Sequence, residues 1–277
     1  MKSYTVSLKE EYAFLQGGNL DCLLMDSPFP NNEEWKRPAV IVVPGGGYRE
    51  VCFQREGDPV STAFMALGYQ TFILKYLCST HGVHYPEQLF EIAASVDYIK
   101  KHAHDLKIDE KEIFIVGFSA GGHLVANLSI AYSRIPELAG VNLDCKPTAV
   151  SLGYPVISHK YGPEIVFEYL LQGYSDVEKE NLIKETNLDE YVSDKTPPTF
   201  VWTTAKDNIV PPENSIRYVT ALNREGVEYE FHIYPLGEHG LSTGNKEICS
   251  YMKEIPNVSG WVKACADFFR MYSEQRF

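Results

Sequence analysis

The stretch from Glu112 to Tyr132, EIFIVGFSAGGHLVANLSIAY, changes its hydrophobic period once. Ile113, Phe114, Ile115 and Val116 form an apolar run too short and too β-branched for a helix, so they predict a buried strand. Leu124, Val125, Leu128, Ala131 and Tyr132 then recur at helical spacing. Between the two, Gly117, Ser119 and Gly121 spell G-x-S-x-G. In a strand-turn-helix setting the glycines let strand and helix approach, while the serine takes a strained conformation that lifts its hydroxyl above the sheet. The start of the helix aims free backbone N–H groups at the same point. The pattern alone is weak, because glycine is common enough to produce it by chance. Its position at the change of period separates Ser119 from an incidental serine in a Gly-rich turn.

Outward from this turn, strands and helices alternate. Tyr4 to Leu8 and Leu20 to Met25 read as two antiparallel strands joined through Gly17-Gly18-Asn19. Ala39 to Val43 is a continuous apolar strand, as expected of a parallel one buried on both faces, and it runs into Pro44-Gly45-Gly46-Gly47-Tyr48. A helix is expected from Asp58 to Gly68, a strand from Gln70 to Tyr76, and a long amphipathic helix from about Pro86 to His104. Further strands fall at Thr148 to Leu152, Thr199 to Thr204 and Tyr229 to Tyr234, with helices at Pro212 to Arg224 and Trp261 to Tyr272. Between Val156 and Pro198 the alternation lapses into helical patches at Glu164 to Leu171 and Val177 to Glu185, the character of an inserted cap. One α/β domain over residues 1–277, with residues 156–198 as that cap, is the expected organisation.

Composition narrows the function. The chain of 277 residues is 44% hydrophobic and carries a formal charge of −12, with no apolar run near the ~20 residues of a membrane span. The acidity and the lack of Lys/Arg clusters argue against nucleic acid as a partner. The opening MKSYTVSLKEEYAF has no apolar core and no cleavage site, so a soluble cytoplasmic protein is expected. The six cysteines are scattered without a C-x-x-C pair, which predicts free thiols, and none sits on a strand-to-helix turn as Ser119 does. Cys78, His81 and His84 resemble a metal cluster only loosely, because no second ligand pair follows. The triple glycine could cradle a phosphate, but no G-K-[ST] or G-x-G-x-x-G accompanies it.

A serine hydroxyl needs a base to take its proton, and the base needs a carboxylate to fix its tautomer. On an open parallel sheet these groups follow in the order Ser, acid, His, and they gather at the carboxyl ends of strands. The histidines after Ser119 are His123, His159, His232 and His239. His123 leaves on the helix and His159 precedes the last two strands, while His232 lies inside YEFHIY. His239, in PLGEHGLS, is on the Gly-flanked loop just beyond that strand and is the expected base. The acid should end the preceding strand, where Ala205-Lys206-Asp207-Asn208 follows TFVWTT. Asp207 is therefore chosen over Asp189 and Asp194 in the cap and Glu213 in the next helix.

With these residues placed, the chain resembles the α/β-hydrolase fold over nearly its whole length, in its GFSAGG, its Gly-rich loop and its KDNIVPP acid loop. Within that fold it is similar to bacterial small-ester hydrolases related to acetyl and acetylxylan esterases, through PGGGY, REGDPV and SAGGHL. The resemblance implies a mostly parallel sheet flanked by helices with a short helical cap, and Ser119, Asp207 and His239 as the triad. It also implies that the backbone N–H groups of Ala120 and of Gly46 or Gly47 form the oxyanion hole. Related enzymes often carry HGGG where Pro44 begins the loop here, which leaves the support of that loop open.

The expected activity is hydrolysis of short-chain acyl esters, with acetylated sugars among the substrates, through an acyl-enzyme and without metal or cofactor. The partner is then a small-molecule ester, with no nucleic acid and no membrane, and a homodimer is compatible. A peptidase or amidase and a longer-chain lipase are rivals on the same triad. A binding protein that kept the fold without the chemistry is the rival of another class. The cap, with Tyr154, Tyr161, Phe167, Tyr169 and Tyr174, is expected to supply a wall for an acyl chain or a stacking face for a sugar.

Overall fold

Eight strands form one sheet in the computed structural model, which describes residues 1–29, 31–32, 34–250 and 257–273. In chain order they are β1 (Lys2–Ser7), β2 (Asn19–Leu24), β3 (Arg37–Val43), β4 (Gln70–Lys75), β5 (Ile108–Phe118), β6 (Ala149–Gly153), β7 (Thr199–Thr204) and β8 (Tyr229–Tyr234). Across the sheet the order is β1-β2-β4-β3-β5-β6-β7-β8. β2 pairs antiparallel with β1, as the alternating pattern of the first strands predicts, and also antiparallel with β4. All pairs from β4 to β8 are parallel.

Parallel neighbours require crossovers, and the helices between them cover both faces of the sheet. Successive side chains of a strand point to opposite faces, so the apolar runs feed two cores. Ile41, Val43, Ile113, Ile115, Val150, Leu152 and Val201 pack with Leu89, Ile92, Val96, Leu124, Leu128, Tyr218 and Leu222 of the helices Glu87–Lys101, Ser119–Ala131 and Glu213–Arg224. On the other face Val40, Val42, Phe114, Val116, Phe200 and Trp202 meet Val60 and Phe64 of the helix Asp58–Ala66 and Trp261, Cys265 and Phe269 of the helix Trp261–Arg270. Phe114 stacks on Phe269 with centroids 4.4 Å apart, and Trp202 stacks on Trp261 at 5.1 Å. Among the described residues no helix is long and apolar enough to cross a membrane.

Most element ends lie within a residue or two of those read from the sequence. Two differ more. β5 begins at Ile108 rather than Ile113, because Ile108 pairs with Arg37 while Glu110 and Lys111 remain exposed; a ladder can extend through charged residues that carry no apolar pattern. The long helix stops at Lys101, and Ala103–Leu106 forms a separate turn of helix after His102. In the segment 156–198, helices run over Glu164–Leu170 and Asp176–Glu185.

Candidate active site

Ser119 follows the last residue of β5 and is the first residue of the helix Ser119–Ala131. Its φ is 52°, in the left-handed region that costs an ordinary residue about 1–2 kcal/mol. The sequence permits so tight a turn because of Gly121, where a Cβ would lie 2.3 Å from the carbonyl oxygen of Val43. Glycine there lets the helix start pack against the end of β3.

The structure brings Ser119, His239 and Asp207 together from the ends of β5, β8 and β7. His239 Nε2 is 2.9 Å from Ser119 Oγ, and His239 Nδ1 is 2.7 Å from Asp207 Oδ2. Asp207 accepts, so Nδ1 carries the hydrogen and Nε2 is free to accept from the serine. The other oxygen, Asp207 Oδ1, accepts the amides of Ile209 and Val210 at 3.0 and 2.9 Å, which fixes the carboxylate from behind. The His239 side chain is 13% exposed and that of Asp207 only 1%, so the relay is shielded from water but open at one end. Thr204 Oγ1 donates to the Gly237 carbonyl at 2.7 Å and ties the end of β7 to the loop of His239.

His232 does not reach this point. It sits on β8, where its Nε2 is 2.7 Å from Glu230 Oε1 and its ring lies beside Phe200 and Tyr234. His159 packs on Phe167. His81 and His84 take part in local turns, where His81 Nδ1 accepts the Cys78 amide and His84 Nδ1 donates to the Tyr85 carbonyl.

The loop after β3 faces Ser119. Gly45 has no room for a side chain, since a Cβ would lie 2.8 Å from Ser119 Cβ and 2.9 Å from the Phe118 carbonyl oxygen. The amides of Gly46 and Gly47 donate to no acceptor among the described residues, and Ala120, second residue of its helix, has one of the first-turn amides that lack an intrahelical partner. The support left open by Pro44 comes from three side chains that sequence reasoning did not single out for it. Tyr76 donates its hydroxyl to the Pro44 carbonyl at 2.9 Å, Glu56 Oε2 accepts the Gly45 amide at 2.7 Å, and the Tyr48 hydroxyl is 2.9 Å from Nδ1 of His123. Glu56 lies in REGDPV, one of the stretches that carry the resemblance, but the stretch gives Glu56 no role of its own; its burial, at 3% exposure, does.

Between these loops and the segment 156–198 is a cavity of about 320 Å³ that reaches Ser119 and His239. Cys52, Pro163, Ile165, Val166, Ile209 and Val210 give it mainly apolar walls. The aromatic residues expected to form the wall do not line it. Tyr154 and Phe167 are buried, Tyr161 and Tyr169 lie beside Arg217 and Arg49, and Tyr174 packs on His84. A larger concavity of about 440 Å³ lies at the amino ends of β5 and β6, beside the Lys100–Asp144 ion pair. Its lining, which includes Lys100, Lys111, Lys146 and Thr148, holds no histidine and does not reach Ser119.

Residues 25–163, half of the chain and including the glycine loop and Ser119, match the BD-FAE family model. The chain belongs to the BD-FAE family. Among relatives, this BD-FAE protein is 33% identical over 226 residues to endo-1,4-beta-xylanase B of Butyrivibrio fibrisolvens, covering 79% of this chain and 35% of the relative. It is 28% identical over 278 residues to the acetylxylan esterase of Xylanibacter ruminicola, covering 92% of this chain and 51% of the relative. The chain thus spans about a third to a half of the length of these relatives. A solved structure of similar extent is the acetyl ester-xyloside bifunctional hydrolase of Caldicellulosiruptor lactoaceticus, with a TM-score of 0.80, 29% identity, and 97% and 96% of the two chains covered. The fold is that of the α/β-hydrolases, as the sheet order and these neighbours agree.

Proposed function

We propose that this BD-FAE protein is a serine carboxylesterase that removes short acyl groups, acetyl first among them, through an acyl-enzyme. The observation that carries the reading is the unbroken chain Ser119 Oγ, His239 Nε2, His239 Nδ1, Asp207 Oδ2 at the mouth of the cavity. Ser119 Oγ attacks the ester carbonyl carbon as its proton passes to His239 Nε2, and Asp207 stabilises the imidazolium that results. The carbonyl oxygen becomes an oxyanion in reach of the amides of Gly46, Gly47 and Ala120. One such donor contributes roughly 3 kcal/mol to the transition state. The C–O bond to the alcohol then breaks, and the leaving oxygen takes the proton from His239. Water repeats the sequence, with His239 as base, and releases the acid and Ser119.

The apolar walls suit an acyl group, and Val166 lies above the glycine loop, 3.9 Å from where a Gly47 Cβ would be. Such a ceiling favours short acyl chains. The relatives named for acetylxylan and acetyl ester-xyloside hydrolysis support an acetylated sugar as the alcohol side. The test is turnover of p-nitrophenyl acetate and of acetylated xylose by the wild type and by Ser119→Ala. Equal rates from the two proteins would end the reading.

A further inference from the structure

The glycine loop after β3 and the loop carrying His239 after β8 face one another over Ser119, although β5, β6 and β7 lie between their strands. No strand ladder sets their separation. Two buried side chains outside the Ser119, His239, Asp207 chain span it instead. The Gly45 amide donates to Glu56 Oε2 at 2.7 Å, and the Tyr154 hydroxyl donates to Glu56 Oε1 at 2.7 Å. The Ser242 amide, just past His239, donates to the Tyr154 oxygen at 2.9 Å. Ser242 Oγ returns to the carbonyl of Arg55 at 2.6 Å, beside Glu56. The bridge therefore runs from Gly45 to Ser242 without a gap.

Both Glu56 oxygens act as acceptors, Oε2 of the Gly45 amide and Oε1 of the Tyr154 hydroxyl, an arrangement that favours the ionised carboxylate. If it were protonated toward Tyr154, the phenolic hydrogen would be buried without an acceptor, because the Tyr154 oxygen already receives the Ser242 amide. Burial leaves the Glu56 carboxyl above its ordinary value, although the Tyr154 hydroxyl and the Gly45 amide, which both donate to it, work in the opposite direction. A buried carboxylate is an expensive way to fill space, and an apolar pair of similar volume would serve stability as well or better. The backbone is strained at both partners, with φ of 37° at Tyr154 and 51° at Ser242. Strain combined with a buried charge is a feature of sites where geometry matters more than stability.

We propose that Glu56 and Tyr154 are positioning residues, which hold the glycine loop and the His239 loop at a fixed separation across Ser119. The proposal rests on the esterase reading for its effect on turnover, but the bridge itself is read without any substrate. In Glu56→Gln an amide group replaces one acceptor and sets a donor against either the Gly45 amide or the Tyr154 hydroxyl.

The experiment compares Glu56→Gln, Tyr154→Phe and the double variant, each assayed well below its unfolding temperature. Glu56→Gln is expected to lower kcat about 100-fold with KM within about threefold of wild type, the signature of a misplaced transition-state donor. Tyr154→Phe should lose about tenfold, and the double variant should fall no more than about threefold below Glu56→Gln, because the two act as one unit. Losses that multiply, or a kcat within threefold of wild type in both folded single variants, overturn the proposal. Amide hydrogen exchange supplies a second measurement: Glu56→Gln should raise exchange at both Gly45 and Ser242 while β5 stays protected. A rise at Gly45 alone, or at neither, overturns the bridge. If wild type hydrolyses no ester, the functional reading fails and exchange alone decides the positioning claim.

Discussion

Nδ1 of His123 lies 2.9 Å from the hydroxyl of Tyr48, and this contact joins the glycine loop to the helix that starts at Ser119. The other ring nitrogen, Nε2, is 3.0 Å from the carbonyl of Thr186, an acceptor only, so Nε2 carries the hydrogen and Nδ1 accepts from the phenol. One neutral imidazole thus connects the loop, the helix and the segment 156–198.

Burial pushes His123 down to about 4 from its ordinary 6.5. The unfolded chain takes up a proton near the ordinary value, and the folded chain refuses it until about the lower one. His123 therefore contributes stability above pH 6.5 that is lost as the pH falls toward 4, on the order of 3 kcal/mol over the whole window. Urea unfolding at about pH 7 and pH 5 should show wild type losing about 2 kcal/mol more than His123→Gln. Equal losses would mean that the site is not held neutral.

Ser119→Ala should lower kcat by about 10⁴-fold or more. Ser119→Gly should be as inactive, yet more stable than Ser119→Ala by about 1 kcal/mol, because glycine relieves the left-handed backbone. Thermal unfolding of the two variants checks the second half. A Ser119→Gly protein less stable than Ser119→Ala would show that the turn is not strained.

His239→Ala should abolish activity, while His232→Ala keeps wild-type kcat within about threefold, since His232, on the edge strand, contacts Glu230, Phe200 and Tyr234 rather than Ser119. Asp207→Asn leaves the imidazole without its acceptor and should cost about 10⁴-fold in kcat. A reversal of the two histidine results would move the base to β8.

If the cavity holds the acyl group as proposed, it predicts a chain-length profile. Across p-nitrophenyl esters from two to twelve carbons, kcat/KM should peak at two or three, and a peak at eight or beyond would point to a lipase. Val166→Ala removes part of the ceiling over the glycine loop and should shift the peak toward longer chains, by about 0.8 kcal/mol for each methylene newly buried. An unchanged profile would place the acyl group elsewhere in the cavity.

Ser119, Asp207 and His239 were legible because each stands just past a strand whose apolar run is visible in the sequence, and a parallel sheet puts such ends side by side. The mostly parallel sheet followed from the same runs. Glu56 was not legible: a glutamate between Arg55 and Gly57 looks like any solvated charge until three chain segments close over it. Tyr154 reads as an aromatic wall for the same reason, since sequence does not say which way a hydroxyl points. The early start of β5 was hidden because its added length is held by backbone pairing with Arg37, which leaves no hydrophobic signature.

The indole of Trp261 donates to the Ser242 carbonyl at 2.8 Å, and its ring stacks on Trp202. Two indoles at that separation couple their electronic transitions, which gives the folded chain an optical signal that Trp35, out by the loop before β3, does not share. Because one member of the pair holds the loop that carries His239, the near-ultraviolet dichroism of the protein reports the seating of His239, in solution and without a label.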